Sequence, residues 1–194
     1  MKKILIILLF FNLSYFNVYS IEPDVFIQST VNNASETLSK NISKQEKINE
    51  LKIIAKKSVD IKGIGFYSLG SARKNLNSDQ KKKYFDLFEN YFLKSFSSRL
   101  AEYTDPKIQV QSIKVINKNY TIVNSVLVST TERPEVKIDW RVYTKNPNSP
   151  LIRDLIIEGL SLARTQKEEF VSILNSNDGD IKALFNTLED FANK

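Results

Sequence analysis

The spacing of apolar residues changes period twice along this 194-residue chain, and that change bounds the fold more tightly than any motif. Up to about residue 103, apolar side chains recur every three or four positions. From Ile108 to Leu160 they alternate, and from Phe170 onward the longer spacing returns. A period near 3.6 gathers apolar groups on one helix face, whereas a period of two gathers them on one face of a strand. Helices, then strands, then helices lack the βα alternation of a parallel sheet and define an α+β fold. The expected architecture is a set of helices packed on one face of a twisted, mainly antiparallel four-stranded sheet. At 42% hydrophobic and 26% charged, a chain this long buries roughly 70% of its unfolded surface and needs no metal or disulfide staple.

Local signals place the elements. Pro23 and Asp24 open a first helix with the stripe Ile27, Val31, Ala34 and Leu38. Ser43 with Glu46 three residues later forms a capping box for a second. Asp60 caps a short third helix, and Gly70 supplies its left-handed stop. Gly63 and Gly65 lie inside that helix, where each costs roughly 1 kcal/mol against Ala, so a close packing partner or an irregular helix is expected. The longest helix, 78–103 with Ser78 as its cap, carries Tyr84, Phe85, Phe88, Tyr91, Phe92, Phe96, Leu100 and Tyr103 on its inner face; for any one of these residues, packing into a solid core is the simplest role. Strands are expected over 108–116, 120–130, 135–144 and 151–160. The third is the clearest, with Val136, Ile138, Trp140 and Val142 on its dry face. Thr165 with Glu168 reads as a second capping box, and Ile181, Leu184, Leu188 and Phe191 form the inner face of a last helix.

The first twenty residues have the order of a secretory signal: Lys2 and Lys3, an apolar block from Ile4 to Phe11, and Ser20 before a cut. The apolar run is broken by Asn12, Ser14 and Asn17, short of the ~20 residues of a spanning helix. The expectation is a cleaved signal peptide over 1–20, a single domain over 21–194, and a periplasmic location. The charge of +6 includes both lysines of that segment. Its basic residues are interspersed with acidic ones, and no nucleic-acid motif accompanies the run Lys81-Lys82-Lys83, so no nucleic-acid partner is expected.

Cysteine and histidine are both absent. Their absence removes triads built on histidine or cysteine, zinc sites built on Cys or His, and iron–sulfur clusters. The segment Gly159-Leu160-Ser161-Leu162-Ala163 comes within one residue of a nucleophile elbow, but no histidine completes it. Asp154 and Glu158, four strand residues apart, stand too far apart for paired carboxylate chemistry and read as structural or surface charges. Gly63-Ile64-Gly65 is not a dinucleotide fingerprint, because Ser68 takes the third glycine position and no strand precedes it. No enzymatic activity, cofactor or metal is expected; binding or carriage remains.

Two stretches carry a specific resemblance. One runs from Val59-Asp60-Ile61-Lys62 to Leu69-Gly70 and continues through Leu76-Asn77-Ser78-Asp79-Gln80, Phe85 and Phe88. The other is Asp154-Leu155-Ile156-Ile157-Glu158-Gly159-Leu160-Ser161-Leu162, followed by Gln166 and Phe170. Together they resemble the MlaC family of periplasmic phospholipid-binding proteins, the auxiliary components of an ABC transporter. The resemblance implies a monomer with an apolar pocket for lipid tails and bound phospholipid as cargo. It also implies two docking partners: an outer-membrane lipoprotein–porin complex, and an inner-membrane ABC transporter with an MCE-domain subunit. If the helix over 78–103 and the strand over 136–143 face each other across those tails, the lining is expected at Phe85, Phe88, Phe92, Ile138, Trp140 and Val142. A periplasmic interaction module or chaperone without lipid is the competing reading.

Overall fold

The computed structural model describes residues 20–131 and 133–193. The expected signal segment therefore lies almost wholly outside the described residues. Helices α1 (Pro23–Ser39), α2 (Lys44–Ser58), α3 (Ile61–Ser68) and α4 (Ser78–Leu100) come first. Strands β1 (Ile108–Asn117), β2 (Tyr120–Leu127), β3 (Val136–Tyr143), β4 (Leu151–Ile157) and β5 (Leu160–Ser161) follow. Helices α5 (Leu162–Asn175) and α6 (Ile181–Asn193) close the order. The sheet has the order β1-β2-β3-β4-β5, and every neighbouring pair is antiparallel. This is the expected α+β architecture with one short strand more.

That extra strand corrects the fourth one expected. The run 151–160 is not continuous, because Glu158 and Gly159 both take positive φ, +48° and +83°. Two such residues make the tight turn that matches the twist of a hairpin, and Ile157 pairs with Leu160 across it. Glu158 offsets its strained backbone locally, since its carboxylate accepts the Lys137 N–H and its own N–H donates to the Lys137 carbonyl.

Two caps also move. Asn77, not Ser78, caps α4: its side chain accepts the Gln80 N–H at 2.9 Å while Gln80 reaches back to the Asn77 N–H at 3.0 Å. Ser161, not Thr165, caps α5, accepting the Arg164 N–H at 3.1 Å; Thr165 donates to the Ser161 carbonyl from inside the first turn. The Ser43–Glu46 box and the Asp60 cap form as expected. Gly70 stands at φ +57° at the stop of α3.

The glycines of α3 are explained by approach, not irregularity. A Cβ on Gly65 would lie 2.7 Å from a ring carbon of Phe88, so α3 and α4 meet closely there. The Tyr84 hydroxyl donates to the Gly65 carbonyl at 2.9 Å, and burial, with nearby Tyr91 adding to it, pushes its phenol pKa well up. The corner between α2 and α3 is stitched to the sheet. Val59 bridges Ile152, the Asp60 N–H donates to the Ile152 carbonyl, and the Asp60 carboxylate pairs with Arg153 Nε at 2.6 Å. The Arg153 guanidinium also donates to the Tyr120 hydroxyl and lies 3.6 Å from the centre of the Tyr143 ring. Burial pulls its pKa down, but the bonds to Asp60 and Tyr120 outweigh that and raise it.

Candidate functional site

The aromatic stripe of α4 divides along its length. Tyr84 and Phe88 are buried beside Phe170, whose ring stands edge-on to both at 6.5 Å and 6.0 Å. Further along, Phe96, Leu100 and then Tyr103 turn toward an apolar cavity of about 130 Å³. Ala34, Ser35 and Leu38 of α1 and Leu51, Ile54 and Ala55 of α2 form its helical wall. Its other wall is the inner face of the sheet: Leu127, Ile138, Trp140, Ile152, Leu155 and Ile157. The rim reaches solvent at Tyr103, which is 39% exposed.

Small residues make this space. Ala34 and Ser35 on α1 and Ala55 and Ser58 on α2 put short side chains on faces that would otherwise fill the gap. An unfilled void of this size costs about 3 kcal/mol at ~24 cal/mol per Å³. A core selected only for stability would shed that cost, since interiors pack to near-crystal density.

The cavity has no charged side chain in its lining, and its polar atoms are turned away. Thr30 donates to the Phe26 carbonyl at 2.8 Å, Ser35 to Pro106 at 2.7 Å and Ser58 to Ile54 at 2.9 Å. The Trp140 indole N–H donates to the Ser125 hydroxyl at 2.8 Å, and that hydroxyl donates to the Ile138 carbonyl at 3.0 Å. Each serine and threonine hydroxyl is thus satisfied by backbone, and inside the Tyr103 rim what faces the lumen is hydrocarbon. Such a surface accepts acyl chains and offers a polar ligand nothing. A broader surface depression of about 500 Å³ beside Lys167 and Glu168 is flanked by charged groups and lacks this lining.

A second apolar cavity, of about 70 Å³, lies beside the first and is lined by Phe88, Phe92, Phe96, Trp140 and Leu155 among others. Of the expected lining residues, Ile138 and Trp140 border the main cavity. Phe88, Phe92 and Trp140 border the second. Phe85 is half-buried against the core and Val142 is fully buried; neither borders either cavity. The helical wall formed by α1 and α2 was missed by sequence reasoning. Its signal was present in the small residues at helical spacing on otherwise apolar faces.

The segment that carries the second resemblance is scaffolding. Asp154, 5% exposed, accepts the Ser161 hydroxyl at 2.6 Å and the Ala163 N–H at 3.0 Å, which fastens the start of α5 to β4. Glu158 and Gly159 make the turn, and Ser161 caps the helix. The Ser161 hydroxyl therefore donates to the Asp154 carboxylate while its oxygen accepts from the start of α5, the two bonds of a helix cap tied to the sheet. Among the described residues, no three acidic groups converge as a metal site and no helix is long and apolar enough to cross a membrane.

Fold and cavity define an α+β protein that holds apolar space between a helical layer and an antiparallel sheet. The chain belongs to the MlaC family: the family model described as MlaC protein matches residues 28–190. A curated relative, the intermembrane phospholipid transport system binding protein MlaC of Haemophilus influenzae, is 25% identical over 166 residues, covering 81% of this chain and 77% of the relative. A phospholipid-binding protein from Ralstonia solanacearum, solved in complex with a phospholipid, superposes with a TM-score of 0.75 over 89% of this chain and 97% of that one. At 18% identity this second likeness establishes the shared fold.

Proposed function

We propose that this protein is a periplasmic phospholipid carrier that binds the acyl chains of its cargo between α1, α2, α4 and the sheet. The observation that carries the proposal is the apolar cavity whose serine and threonine hydroxyls are all spent on backbone. Family membership and the names of the two similar proteins support the same ligand class. Ile138 and Trp140 are the tail contacts on the sheet side, and Phe88 and Phe92 those on the helix side; Phe85 and Val142 back them from the core.

The chemistry of carriage requires this kind of lining. Each methylene buried is worth about 0.8 kcal/mol, so the ~30 methylenes of a diacyl lipid would lose roughly 24 kcal/mol in water. In a bilayer they are already sheltered. A carrier must match that shelter without exceeding it, or cargo taken up is never released. A lining of hydrocarbon with no charged anchor meets both demands. At about 130 Å³ the main cavity is below the ~300–1,000 Å³ typical of small-molecule pockets, so tails enter by parting its walls.

The route we propose runs between an outer-membrane lipoprotein–porin complex and an inner-membrane ABC transporter with an MCE-domain subunit, with the chain exported, cut near Ser20, monomeric and non-catalytic. Mass spectrometry of protein purified without detergent tests the central step. Co-purifying phospholipid near one lipid per chain is expected. Protein that carries none, and takes none from phospholipid vesicles, overturns the proposal and favours an interaction module or chaperone.

A further inference from the structure

We infer that Phe96 is a movable partition between the two apolar cavities and sets how far an acyl chain reaches into the protein; this rests on the carrier reading above. The cavities share five lining residues, Val59, Phe96, Trp140, Ile152 and Leu155. Three of these are fixed. Val59 and Ile152 are bridged through their backbones, and Trp140 is pinned by its indole bond to Ser125. Phe96 has no polar anchor. It is half-buried near the end of α4, stacked on Phe92 with centroids 5.5 Å apart and planes 12° apart, and it borders open space on both sides. A ring flanked by voids turns without the overpacking that holds a core ring in place.

The second cavity offers a head group no free partner. Phe88 and Phe92 cap it on one side. Its two polar residues are already engaged: Gln166 accepts the Tyr91 hydroxyl and donates to Glu169, and Asp154 is held by Ser161 and the Ala163 N–H. No group there is free to bind a head group, so the ligand that fits is the terminal segment of an acyl chain. With the Phe96 ring across the shared wall, a chain stops in the main cavity. With the ring aside, it continues into the second.

The test is the acyl-chain profile of bound lipid, read by native mass spectrometry after incubation with vesicles holding equal amounts of dimyristoyl, dipalmitoyl and distearoyl phosphatidylglycerol. Phe96→Ala removes the partition, and the ratio of long to short chains bound is expected to rise about fourfold for each methylene newly sheltered. Phe96→Trp is expected to shift the profile toward the short chains. Phe96→Leu serves if the alanine variant folds poorly, with a smaller shift to long chains. Phe170→Leu, in the solid core and outside both cavities, controls for general loosening. An unchanged profile in folded Phe96→Ala or Phe96→Leu protein overturns the partition, as does an equal shift in Phe170→Leu. Wild-type protein that takes up no phospholipid overturns the carrier reading instead. The partition is then read from the affinities of free fatty acids from laurate to stearate in the same variants, by the same criteria.

Discussion

At Gly65 two effects of opposite sign compete. Alanine there would gain roughly 1 kcal/mol of helix propensity. Its Cβ, however, would lie 2.7 Å from Phe88, whose ring packs against Tyr84, Phe92 and Phe170 at about 6 Å. Overpacking of this kind costs typically 1 to 3 kcal/mol, so the steric effect wins. Urea unfolding of Gly65→Ala is expected to show a net loss of about 1 kcal/mol or more. In a Phe88→Leu background the same substitution is expected to turn neutral or stabilising. Ser161 separates structure from chemistry in the same way. Ser161→Ala removes a helix cap and is expected to lower stability by ~1 kcal/mol, read by thermal unfolding, while bound lipid stays unchanged. Loss of an esterase or phospholipase activity in that variant would show instead that the near-elbow is a catalytic site. The role of Gly65 was half legible in the sequence: a glycine inside a helix announces a close neighbour, but only the crossing of α3 and α4 shows that the neighbour is Phe88.

At the scale of elements, the caps give the most direct checks. Asn77→Ala is expected to cost ~1 kcal/mol, whereas Ser78→Ala, one residue inside the helix, should stay within about 0.5 kcal/mol. For the α2 box, the bonds from the Ser43 hydroxyl and backbone N–H hold the Glu46 carboxyl below its ordinary 4.5. Because the folded value is lowered, the stabilisation is complete above pH 4.5 and is lost as pH falls through that lowered value. The difference in Tm between wild type and Ser43→Ala is therefore expected to be largest at neutral pH and to shrink in acid. Helices α2 and α3 were legible because caps and apolar stripes agree there, α1 from Pro23 at its start and its stripe, and β3 from its strict alternation. The hairpin of β4 and β5 was not. Its turn is Glu158-Gly159 and lacks the Asn-Gly or Asp-Gly signature, because the long-range bonds of Glu158 to Lys137 hold a conformation that local propensity would not choose. The α5 cap was misplaced for a similar reason: Thr165 and Glu168 have capping spacing, but Asp154 fastens the chain so that the helix begins at Leu162.

For the whole molecule, the sequence reveals that helices and sheet share an apolar interface but not where that interface stays open. Periodicity reports which side chains point inward; a cavity is the volume left over after two such faces meet, and it depends on the distance between them. Hence Trp140 and Ile138 were recognisable as inward-facing, while Ala34 and Ala55 became meaningful only opposite them. The two situations respond differently to added bulk. Ala34→Trp is expected to occupy tail volume and reduce bound lipid with little change in Tm. Val142→Trp, at a fully buried position outside both cavities, is expected to destabilise by 1 to 3 kcal/mol or more. Trp140 is the only tryptophan of the chain, and it borders both cavities, so its fluorescence reports directly on what lies there. The decisive measurement is that fluorescence in protein loaded with phospholipid brominated along its acyl chains, against protein loaded with the unbrominated lipid. Tails packed against the inner face of the sheet bring bromine into contact with the indole and quench its emission strongly. Unquenched emission from protein shown by mass spectrometry to hold the brominated lipid would place the tails elsewhere and contradict a carrier built on this cavity.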